Sequence, residues 1–368
     1  LRVYPLGCRP VEVGKEAVVS VGGPFYLGIY ATDAAEGSTP RNGPDRVEVY
    51  LDGTLVFRYT TDAFPLDSSR MVNALIDYRH YVRTRQPYLL TRGLPGADGP
   101  WVPVRAADGV FRLKPGSTHT IGVKVMDVMD NVAERVIKVK VLPAAAAAAD
   151  PGCEGEAAGG QSVAVAYDRP LELRREQFSL SLPAHTLYAD DRLHLVAAPA
   201  GSCLSAQVSV APLCHDIPPH VPYLLGLRRE GRSSVAAEKV VVVRIDGKRL
   251  TAYPTTHEGE WYSAPVRDFG RFALMPDTTP PRVAPVNFNP TKPLRTTTLK
   301  VRISDNLSGI DTYTCHLNGQ WVLAEYDGKS ATLAINCSGC LKSGRNTLSV
   351  VVADACGNRT RKEWTLTR

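Results

Sequence analysis

The sequence predicts an all-β chain of tandem Ig-like β-sandwich modules, the first carrying a partly helical insertion. Three observations predict it. Runs of Val, Thr, Ile and Tyr alternate with polar residues and are punctuated by Pro and Gly, which number 28 and 30 in 368 residues, as strands separated by turns require. One hairpin pattern occurs twice: His119–Val141 carries Asp127-Val-Met-Asp-Asn131 between two alternating runs, and Asn346–Arg368 carries Asp354-Ala-Cys-Gly-Asn358 in the same place. Other landmarks repeat in the same order around it. Tyr26–Asp33 matches Thr298–Asp305, Leu51-Asp-Gly53 matches Leu317-Asn-Gly319, and Leu113-Lys-Pro-Gly116 matches Leu341-Lys-Ser-Gly344.

The length admits two or three domains, because single cores rarely grow beyond about 250 residues. The order of signals divides the chain as follows. Residues 1–16 read as a linker arriving from something upstream: residue 1 is Leu with no charged-then-apolar leader, so either a signal peptide has been removed or the chain is a fragment. Residues 17–142 form the first sandwich, with Asp52-Gly53 as a two-residue hairpin turn and an insertion at about 64–110. Within that insertion Ser68–Arg85 places Met71, Leu75 and Tyr78 at helical spacing. Residues 143–161, with six consecutive alanines and then Gly and Glu, read as a linker. A second β domain spans 162–276, where Lys239–Ile245 is a nearly continuous apolar run, as expected of a central strand. Asp277-Thr-Thr-Pro-Pro281 is a stiff hinge opening the last sandwich, 277–368.

Composition narrows the function. The 43 Lys and Arg against 37 Asp and Glu give a net charge of +6, scattered without the concentrated basic face that nucleic-acid binding requires. No apolar run reaches the length of a membrane-spanning helix. Of the eight histidines, no two form the His-x-His or HExxH spacing of a zinc site, and His215 and His220 are separated by two prolines. No Gly-x-Ser-x-Gly elbow occurs, and Gly328-Lys-Ser330 lacks the first glycine of a phosphate loop. No catalytic and no cofactor-binding residues are therefore assigned.

Two sets of residues remain. Asp33 with Asp127, and Asp305 with Asp354, stand at strand ends. In a sandwich such acids can converge at one pole and bind calcium, or each can cap its own turn by accepting backbone amides. The even number of cysteines invites disulfides in an exported chain, with Cys203, Cys214, Cys315, Cys337, Cys340 and Cys356 the candidates. Cys203 and Cys214 are close enough in sequence to close a small loop. Cys337-Ser-Gly-Cys340 has zinc-knuckle spacing that Cys315 and Cys356 can complete, although small buried thiols are the plainer reading. The tryptophans Trp101, Trp261, Trp321 and Trp364 can grip a glycan if they cluster on the surface, or fill cores and seams.

Ordered motifs along the chain carry a resemblance. They are Asn42-Gly43, Leu51-Asp-Gly53, Phe64, Ser69-Arg70, Val72-Asn73 and Ile76-Asp-Tyr78, then Lys124–Asn131, then Asp268-Phe-Gly-Arg-Phe-Ala-Leu-Met-Pro-Asp-Thr-Thr-Pro-Pro281. Val286-Asn-Phe288, Ser304-Asp-Asn-Leu-Ser-Gly-Ile310 and Asn318–Asp327 complete the set. Together they resemble the non-catalytic region that follows the peptidase domain in secreted, lysostaphin-like zinc metallopeptidases of the M23 family from Bacteroidetes-type bacteria. The family's zinc motifs, His-x3-Asp and His-x-His, are absent. The resemblance implies an accessory region of an exported peptidoglycan peptidase, with zinc only in an upstream catalytic domain. It implies that domain as a partner in cis, peptidoglycan as a second partner, and a periplasmic, cell-envelope or extracellular setting. The alternative is a structural stalk or adhesion-type module without a ligand.

Overall fold

The structure, a computed structural model, describes residues 1–6, 9–14, 17–33, 42–63, 65–97, 99–143, 160–231 and 233–368. Residues 144–159 of the linker expected at 143–161 and much of the loop 34–45 lie outside these, as do Phe64, Cys8 and Cys153, while Gln161 already begins a strand. The described residues fold as three two-sheet modules, each around its own apolar core. No described helix is long and apolar enough to cross a membrane.

In the first module a four-stranded sheet runs Val11–Glu12, Arg2–Pro5, Phe25–Ile29, Leu89–Leu90. It faces a six-stranded sheet ordered Val18–Val21, Val132–Val141, Thr118–Met126, Arg46–Leu51, Thr54–Thr60, Val104–Arg105. The described residues among 1–16 are thus part of the first module and not a linker. Arg2–Pro5 pairs antiparallel with Phe25–Gly28, and Val3 is fully buried in the core beside Leu27. The strand is hard to read in sequence because it is short and buries the neighbours Val3 and Tyr4 rather than alternate residues.

The third module repeats the arrangement. One sheet is Arg282–Pro285, Thr298–Ser304, Thr332–Asn336, Ala324–Asp327, and the other is Gln320–Trp321, Ile310–Leu317, Arg345–Asp354, Arg359–Thr367. Seven strands correspond in order, the first module adding Val11–Glu12, Val18–Val21 and Val104–Arg105 and the third Ala324–Asp327 at sheet edges, and the turns correspond too. Asp52 and Gly53 take φ of 47° and 84°, and Asn318 and Gly319 take 51° and 81°, the doubly left-handed turn that matches strand twist. The amide of Gly116 donates to Val141 O at 2.9 Å, and that of Gly344 to Arg368 O at 3.0 Å. Strict alternation makes the faces: in Thr298–Ser304, Leu299, Val301 and Ile303 point inward and their neighbours to water, as the two-residue period of a strand dictates.

The insertion does not hold one continuous helix over Ser68–Arg85. A 3-10 turn, Leu66–Met71, leads into Val72–Leu75. The chain then extends at Ile76, and a new helix runs Tyr78–Thr84. Asp77 causes the restart: its carboxylate accepts the His80 amide at 3.1 Å as an N-cap, and also the Tyr4 hydroxyl at 2.9 Å. Arg85, at φ 62°, closes the helix.

The second module packs a six-stranded against a five-stranded sheet. Its strand Val240–Asp246 is not central; only Arg249–Tyr253 lies between it and the sheet edge. Its apolar run has another cause. Val240 and Val242 face the module's core, while Val241 and Val243 face out and are covered by Cys356 and Leu307 of the third module. Both faces are buried, so both are apolar.

Candidate functional site

The two joints between modules are where side chains from distant sequence converge. At the first, Ala74, Leu94 and Ala97 of the insertion pack with Tyr188 of the second module. The Gly96 amide donates to Tyr188 O at 2.6 Å. The Tyr188 hydroxyl donates to Arg70 O at 3.1 Å, and burial pushes that phenol up to about 12. Beside this contact lies a cleft of about 240 Å3 lined by Arg79, Arg83, Arg244, Asp216 and Asp268, in which Arg79 pairs with Asp216 at 3.3 Å and Arg244 faces Asp268 at 3.8 Å.

The second joint is built by three carboxylates. Asp277 follows strand Gly270–Pro276 directly and is 1% exposed. Its own amide donates to Lys239 O at 2.7 Å, and its Oδ2 accepts the Ser308 amide at 2.9 Å. Asp305 directly follows strand Thr298–Ser304; its Oδ2 accepts the Leu307 and Gly309 amides at 3.0 and 2.9 Å. Asp354 ends Arg345–Asp354 and is also 1% exposed. Its Oδ1 accepts the Asn358 amide at 2.8 Å and its Oδ2 the Asn358 Nδ2 at 2.7 Å. That same Nδ2 donates to Asp277 O at 3.0 Å. One oxygen from each of the three acids lies within 4.8 Å of the others. At that spacing, and an effective dielectric constant of about 20, each pair of unit charges repels by roughly 3 kcal/mol. A cation at the rim is already engaged: Lys239 Nζ donates to Cys356 O at 2.7 Å. Burial, together with the charges of Asp277 and Asp354, pushes the Cys356 thiol up.

The acids expected as pairs therefore separate in kind. Asp305 and Asp354 come together, with Asp277 as a third member that sequence reasoning had read only as part of a hinge. Its signal was present: an Asp directly before Thr-Thr-Pro-Pro, where the chain has a fixed course. Asp33 and Asp127 line one shallow cleft but join no metal-type grouping among the described residues. Asp127 instead caps its turn, accepting the Met129 and Asn131 amides at 2.8 and 2.9 Å and Asn131 Nδ2 at 2.8 Å. In the hairpin of the third module Asp354 accepts the two corresponding bonds from Asn358, and there they are buried.

The cysteine expectations need correction. Cys203, Cys315, Cys337, Cys340 and Cys356 are free thiols. Cys214 is disulfide-bonded, so its partner is not Cys203. Nor do four sulfurs gather for zinc. Cys315 and Cys337 are buried in the third module's core with Cys340 against it, whereas Cys356 points into the joint. Burial pushes Cys315 up to about 12 and Cys337 up to about 11. Asp191 groups with Cys214 and His215, but the disulfide occupies that sulfur. Burial opposes ionisation of Asp191; the His215 ring and the amides of Arg192, Cys214 and His215 outweigh it and hold the carboxyl below its usual range. The tryptophans are dispersed. Trp101 is in the first core, Trp261 lies beneath Arg174 at 4.5 Å, Trp364 meets Phe288 edge-on at 5.6 Å, and Trp321 is 64% exposed.

Comparison with known proteins adds the following. A family model described as a Zu5-like domain matches residues 162–277, the second module. No curated protein matches the chain. Among solved structures, the chain is similar to a Ca2+-stabilized adhesin that helps an Antarctic bacterium reach out and bind ice, at 11% identity, covering 100% of this chain and 97% of that one, TM-score 0.17. It is similar also to SGBP-B of the Bacteroides ovatus mixed-linkage glucan utilization locus, solved with a mixed-linkage heptasaccharide, at 13% identity, covering 97% and 66%, TM-score 0.16. A third is the PcdhgB3 EC1-4 fragment, at 12% identity, covering 96% and 74%, TM-score 0.20.

Proposed function

We propose that this chain is a non-catalytic β-sandwich array of an exported protein, which holds whatever it is joined to at a fixed spacing and orientation. The observation that carries this reading is the construction of its joints. Domains that need only be connected are joined by polar, flexible linkers and move relative to one another. Here Tyr188 is buried between the first two modules, and Val241, Val243 and Cys356 are buried between the last two. Asn358 and Lys239 hydrogen-bond across the second joint. The disulfide at Cys214 supports export, because such bonds persist in oxidising compartments.

The finer reading rests on the ordered motifs at Asp268–Pro281 and Ser304–Ile310. It makes the held partner an M23-type peptidoglycan peptidase domain, with zinc belonging to that domain and peptidoglycan as a second contact. Small-angle scattering tests the spacer: a curve fitted by one rigid arrangement of the modules supports it, and a curve needing a broad ensemble removes it. Co-sedimentation with insoluble peptidoglycan, and pull-down with an isolated M23 peptidase domain, test the finer reading. Binding to neither leaves the ligand-free stalk.

A further inference from the structure

We propose that Asp277, Asp305 and Asp354 bind one calcium-type divalent cation that clamps the second module to the third. Four observations carry it. The donors are all oxygen, the set hard cations take and softer metals do not. Their spread fits one ion, because two oxygens on opposite sides of a calcium ion, each at about 2.4 Å, stand about 5 Å apart, and these three lie within 4.8 Å. Asp305 Oδ1 is shut off from solvent and has no hydrogen-bond partner, although its twin Oδ2 accepts two amides. Such an oxygen, on a half-buried residue grouped with two carboxylates that are each 1% exposed, is the kind of group that is otherwise paired or metal-bound. Last, the charge balance suits a dication: among the described residues none of the three carboxylates stands in an ion pair, and Lys239 at the rim donates to the Cys356 carbonyl.

The ligands come from both sides of the joint. Asp277 closes the last strand of the second module, and Asp305 and Asp354 close two strands in opposite sheets of the third. A cation shared among them ties the hinge Asp277–Pro281 to the module it would otherwise let swing. The site deepens the rigid-spacer reading, and rests on it only for this consequence.

The test uses the full chain, freed of metal with a chelator. Calorimetric titration with calcium chloride is expected to show one site per chain, with a dissociation constant on the order of 0.1–1 mM, the range of extracellular modules. About 10 mM calcium should raise the melting temperature by about 3–6 °C, and magnesium, which demands a tighter octahedron, by less. Asp305→Asn removes one charge and keeps the shape. Without metal it should melt at or above the unsubstituted chain, because repulsion is relieved, and it should lose the calcium shift. No saturable heat with the unsubstituted chain overturns the site, as does a calcium shift that survives Asp305→Asn. A chain that is rigid in scattering but takes no calcium leaves the spacer standing without the clamp; calcium binding by a flexible chain does the reverse.

Discussion

Asn358 and Asn131 occupy the same position in the two copies of one hairpin, and replacing each by Ala separates the worth of burial from that of the motif. Asn358 is 8% exposed. Its Nδ2 gives one bond to the Asp354 carboxylate at 2.7 Å and one to Asp277 O at 3.0 Å. A hydrogen bond to a charged group contributes about 1.5–3 kcal/mol and a neutral one about 0.5–1.5, so Asn358→Ala should cost about 2–4 kcal/mol. Asn131→Ala removes the corresponding bond to Asp127 at 2.8 Å, but both residues are open to water, which replaces the donor. The assay is hydrogen exchange by mass spectrometry on the full chain with chelator present. Protection of peptides spanning Asp354–Asn358 should fall by about 30-fold or more in Asn358→Ala, since each 1.4 kcal/mol is a factor of ten. Peptides spanning Asp127–Asn131 should change little in Asn131→Ala. Equal, mild effects at both positions would refute the argument that burial at the joint sets the value of these bonds.

Other expectations follow from single contacts. A Cβ on Gly109 would stand 1.8 Å from Thr91 O at φ 75°, whereas one on Gly53, at φ 84°, meets nothing within 4 Å. Gly53→Ala should therefore cost only the left-handed penalty of about 1–2 kcal/mol, and Gly109→Ala distinctly more, read as the urea midpoint of each variant. Arg112 holds both oxygens of Asp108 at 2.7 Å, which depresses that carboxyl to about 2. Its folded pKa lies below the unfolded value, so its stabilisation is present above about pH 4 and lost as pH falls towards 2. With both side chains about half exposed the effect on stability is small. An NMR titration should nonetheless find Asp108 near 2 and, in Arg112→Gln, raised towards the usual carboxylate range, with the Val110 amide still bound to it. Thiol labelling of the native chain at pH 8 should leave Cys315 and Cys337 unmodified, because both are buried and held protonated. Peptide mapping should find Cys214 linked to a cysteine other than Cys203.

Much of the third module was legible because its signals are local. Alternation over Thr298–Ser304, the Asn318-Gly319 turn and the Asp354–Asn358 hairpin each lie within about ten residues. The duplicated order of such signals revealed the kinship with the first module. What was not legible depends on contacts between residues far apart in sequence. Arg2–Pro5 is a strand only because Phe25–Gly28 pairs with it. Val241 and Val243 are apolar because another module covers them. Asp277 is marked by the prolines after it, but its meeting with Asp305 and Asp354 depends on how two modules pack. The cysteine pairing failed for the same reason, since proximity in sequence is a poor guide to which sulfurs meet in a sheet.

Because one five-residue turn is built twice in this chain, once open to water and once enclosed, it carries its own reference signal. The Asn131 and Asn358 side-chain amides report on near-identical chemistry in two settings. A change of temperature, pH or ionic strength that acts on the hairpin as such moves both resonances together. One that acts on the enclosure moves only the second. The difference between the two is a spectroscopic gauge of the seam that needs no mutation and no second sample.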